Sequence, residues 1–234
     1  MKNTLINREA TLRVANALGE LNEEVVFVGG AVVSFYIDDP AADDVRPTKD
    51  IDIVLEIASL IELEEVRTKL TKKGFYQSSE DDVICRFRYK ETKVDVMSTK
   101  EIGWAPANPW FEKGYNDLIQ VNIGQTQINC LSLPYYLATK FAAYYGRGGN
   151  DPRTSHDFED IVYLLNFNSN FVEQIKDSNY VVKQYLIKCF KDILSDSVKQ
   201  EAIFGNLFYE DQEYRFSIII DKLTLVTYEN SNSE

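Results

Sequence analysis

Asp50 and Asp52 stand two residues apart in the run Asp-Ile-Asp-Ile-Val-Leu-Glu-Ile, and Asp95 is set between Val94 and Val96. Residues two apart on a strand project from the same face, roughly 6–7 Å from one another. Two carboxylates so placed can share hard cations such as magnesium. The pair also has a bland reading, since acids are frequent in this chain and a solvated strand edge would look the same. Asp95 is harder to explain that way, because an aspartate in an apolar strand is costly to bury unless it is paired or bound to a metal. Upstream, Val25-Val26-Phe27-Val28 runs into Gly29-Gly30 and then into an apolar stretch. A strand, a glycine turn and a helix start bring backbone amides together where a phosphate can bind, although Gly-Gly alone is often just a tight turn. Three acids from two strands beside such a turn suit a nucleotide with its magnesium ions.

The elements that must position these residues follow from periodicity and punctuation. Residues 8–19 carry Leu12, Val14, Ala15 and Leu18 at helical spacing, and residues 31–37 read as an apolar helix after the glycine turn. Residues 38–49 are polar, contain two prolines, and read as a loop whose acids Asp38, Asp39, Asp43 and Asp44 would be solvated. Residues 50–57 form a strand and 59–73 a helix, followed by strands over 83–89 and 93–97 joined by a turn at Lys90-Glu91-Thr92. Residues 98–117, with both tryptophans, read as an ordered loop, and 118–122 with 126–131 as a hairpin about Gly124. From Ser132 the pattern becomes helical, with helices expected over 134–145, 154–166, 169–176, 179–195 and 211–228 and a glycine-rich break over 146–152. Ser132 is the expected N-cap of the first of these. The last five or so residues read as disordered. The expected architecture is α/β (α+β): a mixed-sheet core over residues 1–131 followed by a helical bundle over 132–234.

Bulk properties narrow the partners. A chain of 234 residues can bury a substantial core. Its net charge of −12 disfavours nonspecific nucleic-acid binding as a main activity, because such binding draws on phosphate neutralisation. The single histidine, His156, excludes a multi-histidine metal site. Cys85, Cys130 and Cys189 lack metal-ligand spacing and read as buried free thiols. No apolar run is long enough to span a bilayer, and the N-terminus lacks a secretory signal pattern, so a cytoplasmic location and no membrane partner are expected.

The blocks VGGAVV, TKDIDIVL and KVDVM, in this order, resemble the nucleotidyltransferase superfamily related to DNA polymerase β. LSLPYYLATKFAAYYGRGG and SHDFEDIVYLL resemble the helical half of its AbiEii-like and MenT-like toxin members, so that the likeness covers about residues 25–166. The resemblance implies a nucleotidyltransferase core that transfers a nucleoside monophosphate from a nucleoside triphosphate to an acceptor and releases pyrophosphate. It implies two Mg2+ ions (Mn2+ as a substitute) held by Asp50, Asp52 and Asp95, with Asp95 also activating the acceptor hydroxyl. Gly29 and Gly30 would contact the triphosphate, and Thr48 and Lys49 match polar and basic phosphate-contacting positions. Lys140 matches a helical lysine that reaches the phosphates, and Asp157 the first acid of a later D-x-x-D block, with Asp160 its companion. The implied acceptor is tRNA or a protein, in a toxin–antitoxin system with a cognate antitoxin. A small-molecule nucleotidyltransferase or a non-catalytic nucleotide-binding module are the alternatives. Here the turn is Gly-Gly-Ala where the wider superfamily commonly has Gly-Ser, and His156 stands where relatives often carry a basic residue. Lys140 could also snorkel from an apolar helix, Asp157 could serve a helix N-terminus, Arg147 could face phosphate or cap a helix, and Trp104, Trp110 and Phe111 could stack on a base or anchor their loop.

Overall fold

A computed structural model of the chain describes residues 2–147 and 151–228. The C-terminal tail and residues 148–150 of the glycine-rich break lie outside the described residues. The chain divides into two compact units, Met1–Phe35 with Asp43–Tyr136, and Tyr36–Ala42 with Leu137–Glu234.

The first unit is built on a six-stranded mixed sheet. Its strands are β1 (Val26–Val28), β2 (Asp50–Leu55), β3 (Arg86–Tyr89), β4 (Thr92–Ser98), β5 (Leu118–Ile123) and β6 (Thr126–Leu131), in the order β3-β4-β2-β1-β6-β5. Central β2 runs antiparallel to β1 and parallel to β4. That parallel pairing needs a crossover, and the helix α2 (Leu60–Lys72) supplies it. Ser59 caps α2 by accepting from the Glu62 backbone N–H, and Gly74 follows with φ +89°. Ile51, Ile53, Val54 and Leu55 are all buried, which holds β2 in register while Asp50 and Asp52 stay half-buried. The β3–β4 turn is one residue shorter than expected, Lys90-Glu91 with Lys90 at φ +54°, because Thr92 pairs with Tyr89 in the ladder, and the β5–β6 hairpin turns at Gly124 with φ +62°.

Several elements differ from the sequence-based expectation, each for a physical reason. The first helix, α1 (Lys2–Leu18), starts six residues earlier than its apolar period indicates. Its first turn exposes Leu5 and is held instead by a remote carboxylate. Asp44 accepts from the Asn3 and Thr4 backbone N–H groups at 2.7 and 2.9 Å and from the Thr4 hydroxyl at 2.7 Å. The apolar stretch after the glycine turn is a 3-10 segment, Gly30–Tyr36, not an α-helix. It cannot extend, because the Ser34 carbonyl accepts from Arg8 while the Asp38 N–H donates to the Phe167 carbonyl. The 98–117 loop contains a short helix, α3 (Phe111–Gly114), beside buried Trp110. Both tryptophans anchor the loop: Trp110 packs on Tyr135, and Trp104 packs on Phe87 and donates to Glu64.

The second unit is helical, as expected. It comprises α4 (Leu133–Gly146, whose first residues belong to the first unit), α5 (His156–Phe167), α6 (Phe171–Lys176), α7 (Tyr180–Ser195), α8 (Ser197–Gly205) and α9 (Gln212–Tyr228). Phe190 is central to its core, with Phe141 and Phe171 at ring-centroid distances of 5.9 and 5.7 Å. Helix α8 is absent from the periodicity, because only Ala202 and Ile203 supply it with buried apolar side chains. Its start comes from Asp196, which accepts from the backbone N–H groups of Val198 and Lys199. The Ser132 hydroxyl before α4 donates to Asp117 at 2.7 Å. Among the described residues no helix is long and apolar enough to cross a membrane.

Three acids of the 38–44 loop, Asp38, Asp39 and Asp44, serve as anchors as well as partly solvated charges. Asp38 accepts from Ser169 and Asn170, and Asp39 pairs with Arg215 at 2.7 Å, all within the second unit. For Asp44, burial that would raise its carboxyl is outweighed by the Asn3 and Thr4 donors, which hold it down at about 2. Asp44→Ala should cost about 1 kcal/mol of unfolding free energy in urea titration, the usual worth of a helix cap. Because the folded group titrates below the ordinary aspartate value of about 3.9, this contribution is complete above that pH. It disappears as pH falls through about 2, so the difference between wild type and variant should close there.

Candidate active site

Register brings the sequence-predicted acids of the first unit together. Asp52 of β2 is paired with Asp95 of β4 on one side and with Val28 of β1 on the other. Asp50 lies two residues back on the same strand face, opposite Lys93. Gly29, directly after Val28, therefore borders the Asp52 carboxylate. It has φ +71°, and a Cβ at this position would lie 1.8 Å from Asp52 Oδ2. Gly29 thus has two separate reasons to be glycine, its left-handed backbone and the carboxylate above it. Its carbonyl is fixed by the buried Tyr136, whose hydroxyl donates to it at 2.6 Å.

Gly30 leaves room for a cation. A Cβ on it would lie 2.4 Å from Arg46 Nη2 and 2.8 Å from Thr48 Cγ2. Arg46, four residues before Asp50, is therefore packed against the glycine turn, a position that motif reading passed over. Thr48 is oriented by Asn7 of α1, its hydroxyl donating to Asn7 Oδ1 at 3.2 Å, and Lys49 is exposed.

A second arginine was also not singled out from the sequence. Arg86 of β3 is paired in register with Asp95. Its Nε and Nη2 donate to the two Asp95 oxygens at 2.6 and 2.7 Å, and Nη2 donates to Asp50 Oδ2 at 2.9 Å. The bidentate bond to Asp95 raises the guanidinium pKa well above its ordinary value, against the opposing effect of burial. The neighbouring Cys85 thiol is pushed up to about 11 by burial, with the Asp95 charge adding to it. All three cysteines are buried and free, as expected.

The later blocks meet within the second unit. Lys140 of α4 is 5% exposed and donates to Asp160 Oδ2 at 2.7 Å, with Asp157 Oδ1 3.7 Å away. Asp157 also accepts from Arg147 at 2.8 Å. Asp157 and Asp160 share a face of α5, and the capping of that helix falls to Ser155, which accepts from the Phe158 N–H. Lys140 is therefore ion-paired rather than snorkelling to solvent. His156 is exposed at the first position of α5, 3.2 Å from Glu159.

The donor set in the first unit is suited to a hard divalent ion: all carboxylate oxygens, with Asp50 and Asp95 already converging on a single cationic group. In the present arrangement that group is the Arg86 guanidinium. Among the described residues no three acidic, histidine or cysteine side chains converge on one point.

Residues 12–223 match the family model described as "Nucleotidyl transferase AbiEii toxin, Type IV TA system". No curated protein matches the chain. A solved structure similar in fold is that of an antigenic nucleotidyltransferase-like protein from Paracoccidioides brasiliensis. It shares 17% sequence identity at a TM-score of 0.51, over 82% of this chain and 92% of that one.

Two outcomes test this geometry. Gly29→Ala and Gly124→Ala both place a side chain at positive φ, but the space around Gly124 is open. Each should lose about 1–2 kcal/mol of stability to backbone strain, and only Gly29→Ala should lose more, through its collision with Asp52. Equal losses in chemical denaturation would contradict the close approach. Lys140→Ala removes the ammonium that Asp160 holds at 2.7 Å in the interior and should destabilise the second unit by roughly 3–5 kcal/mol, measured by calorimetry.

Proposed function

This chain belongs to the AbiEii nucleotidyl transferase toxin family, and on that premise we propose that it transfers a nucleoside monophosphate from a nucleoside triphosphate to a hydroxyl of tRNA or protein, with Mg2+ held by Asp50, Asp52 and Asp95. The observation that carries this reading is the in-register row of Val28, Asp52 and Asp95, ending at a glycine turn against which Asp52, Arg46 and Thr48 pack. Mg2+, when bound, would supply Lewis acidity, easing deprotonation of the acceptor and neutralising the leaving pyrophosphate.

The chain's own residues do the rest. Asp50 and Asp52 supply carboxylate oxygens from one strand face, and Asp95 supplies a third and activates the acceptor hydroxyl. Gly29 and Gly30 let the triphosphate approach the backbone, where Thr48 and Lys49 contact it and Arg46 adds positive charge. The acceptor oxygen then forms a bond to the α-phosphorus as the bond from that phosphorus to its bridging oxygen breaks, and pyrophosphate departs. Lys140 and Asp157 enter this reading from the family resemblance, Lys140 as a phosphate contact and Asp157 as a catalytic acid. A cognate antitoxin is the partner that the family's description suggests, and the cytoplasm, where nucleoside triphosphates are abundant, is the expected place of action.

Incubation with each labelled nucleoside triphosphate, Mg2+ and cell extract should place label in RNA or in protein. Asp52→Ala should reduce incorporation by more than the roughly 10–100-fold that loss of a supporting residue costs, while the circular dichroism spectrum stays native. Label on small molecules alone would move the acceptor to that class. No label with any of the four nucleotides would overturn the catalytic assignment.

A further inference from the structure

Arg86 is the cation on which two of the three strand acids converge. It donates three hydrogen bonds to Asp50 and Asp95, all between 2.6 and 2.9 Å. The contacts are sheltered, with the side chains of Arg86 and Asp95 15% and 14% exposed. A guanidinium bound along its Nε–Nη2 edge has a geometry that a lysine could not reproduce. The strand neighbour on the same face, Arg88, has acids of its own, Asp81 and Glu80. Lys93, opposite Asp50, is likewise 3.5 Å from Asp81. The charge of Arg86 is thus directed to the β2 and β4 acids.

We propose that Arg86 is the resident countercation of the acid cluster, and that a divalent ion must displace its bonds to Asp50 and Asp95 in order to bind. The inference rests on reading Asp50, Asp52 and Asp95 as metal ligands. Arg86 positions these carboxylates in the metal-free protein and competes with the metal for the same oxygens. Both effects have the same physical origin. Like charges on neighbouring strands repel, and one guanidinium relieves that repulsion at two of the three acids. A divalent ion relieves it too, but only by taking oxygens that Arg86 holds.

The test is Mn2+ binding to the full chain, followed by the electron paramagnetic resonance of the free ion, with no nucleotide present. Arg86→Gln should bind Mn2+ at least about tenfold more tightly than wild type, a change of the size that ligand-supporting residues produce. Its thermal midpoint should rise more than that of wild type on adding Mg2+. If Arg86→Gln fails to fold, Arg86→Lys serves instead: it keeps the charge, loses the fork, and should still bind Mn2+ more tightly than wild type. A folded variant whose Mn2+ affinity is unchanged or weaker overturns the proposal and leaves Arg86 a purely structural residue. If wild type and Asp52→Asn bind Mn2+ equally, the reading of these acids as metal ligands itself fails, and the proposal fails with it.

Discussion

Three carboxylates on two adjacent strands repel one another, and partial burial removes much of the water that would screen them. Most of what surrounds β2 is arranged around that repulsion. Asp52 and Asp95 are paired in register, so their separation is set by the strand spacing and not by side-chain preference. The antiparallel partner of β4 brings Arg86 to Asp95 and Asp50. On the other side, β1 ends in a glycine, because any side chain there would occupy the space of the Asp52 carboxylate. Tyr136 fixes the glycine carbonyl, and Asn7 fixes Thr48 just before the first acid. These constraints come from different parts of the chain and act around the start of central β2.

The second unit solves a related problem with the signs reversed. Lys140 is a cation in an otherwise apolar helix, nearly without solvent contact. Asp160 neutralises it directly and Asp157 stands close by, three residues earlier on the same helix. Such a buried group depends on its pairing, since loss of Lys140 or Asp160 removes the direct charge partner of the other. The pair Arg147–Asp157 contributes less, because Arg147 is largely exposed and screened by water. Lys222 is used differently: its ammonium donates to the Leu165 and Asn168 carbonyls at the end of α5, where a cation suits the helix dipole. Burial lowers its pKa, so this cation is held against a desolvation cost.

The acidic composition also has a structural side. Asp38, Asp39, Asp44 and Asp196 each take up backbone or side-chain donors at an element's start or at a loop anchor. These contacts leave the net charge of −12 unchanged, because ion pairs are already subtracted in it and a hydrogen bond from a neutral donor keeps a carboxylate ionised.

Much of the site was written in local pattern. The Asp-Ile-Asp alternation determined which side chains share a strand face, because the period of a strand is two. Gly-Gly after Val25–Val28 marked the turn, and the helical period located α2 and α7, each of which buries one apolar stripe. Elements held by polar contacts were not legible in this way: the first turn of α1 depends on Asp44, some forty residues away, and α8 on Asp196 with few apolar residues. The two arginines show the same divide. A turn of Lys90-Glu91-Thr92, as the sequence suggests, would pair Phe87 with Asp95; the observed turn is one residue shorter and pairs Arg86 with it, so the contact was legible only with that shift. Its further bond to Asp50 was not, because β2 joins β4 through a crossover whose register no local pattern records. The sequence alone thus determined which residue types could do chemistry and which faces they share. Only the tertiary structure decided their countercharges, because an ion pair across strands depends on register, and register is set by the burial of the whole sheet.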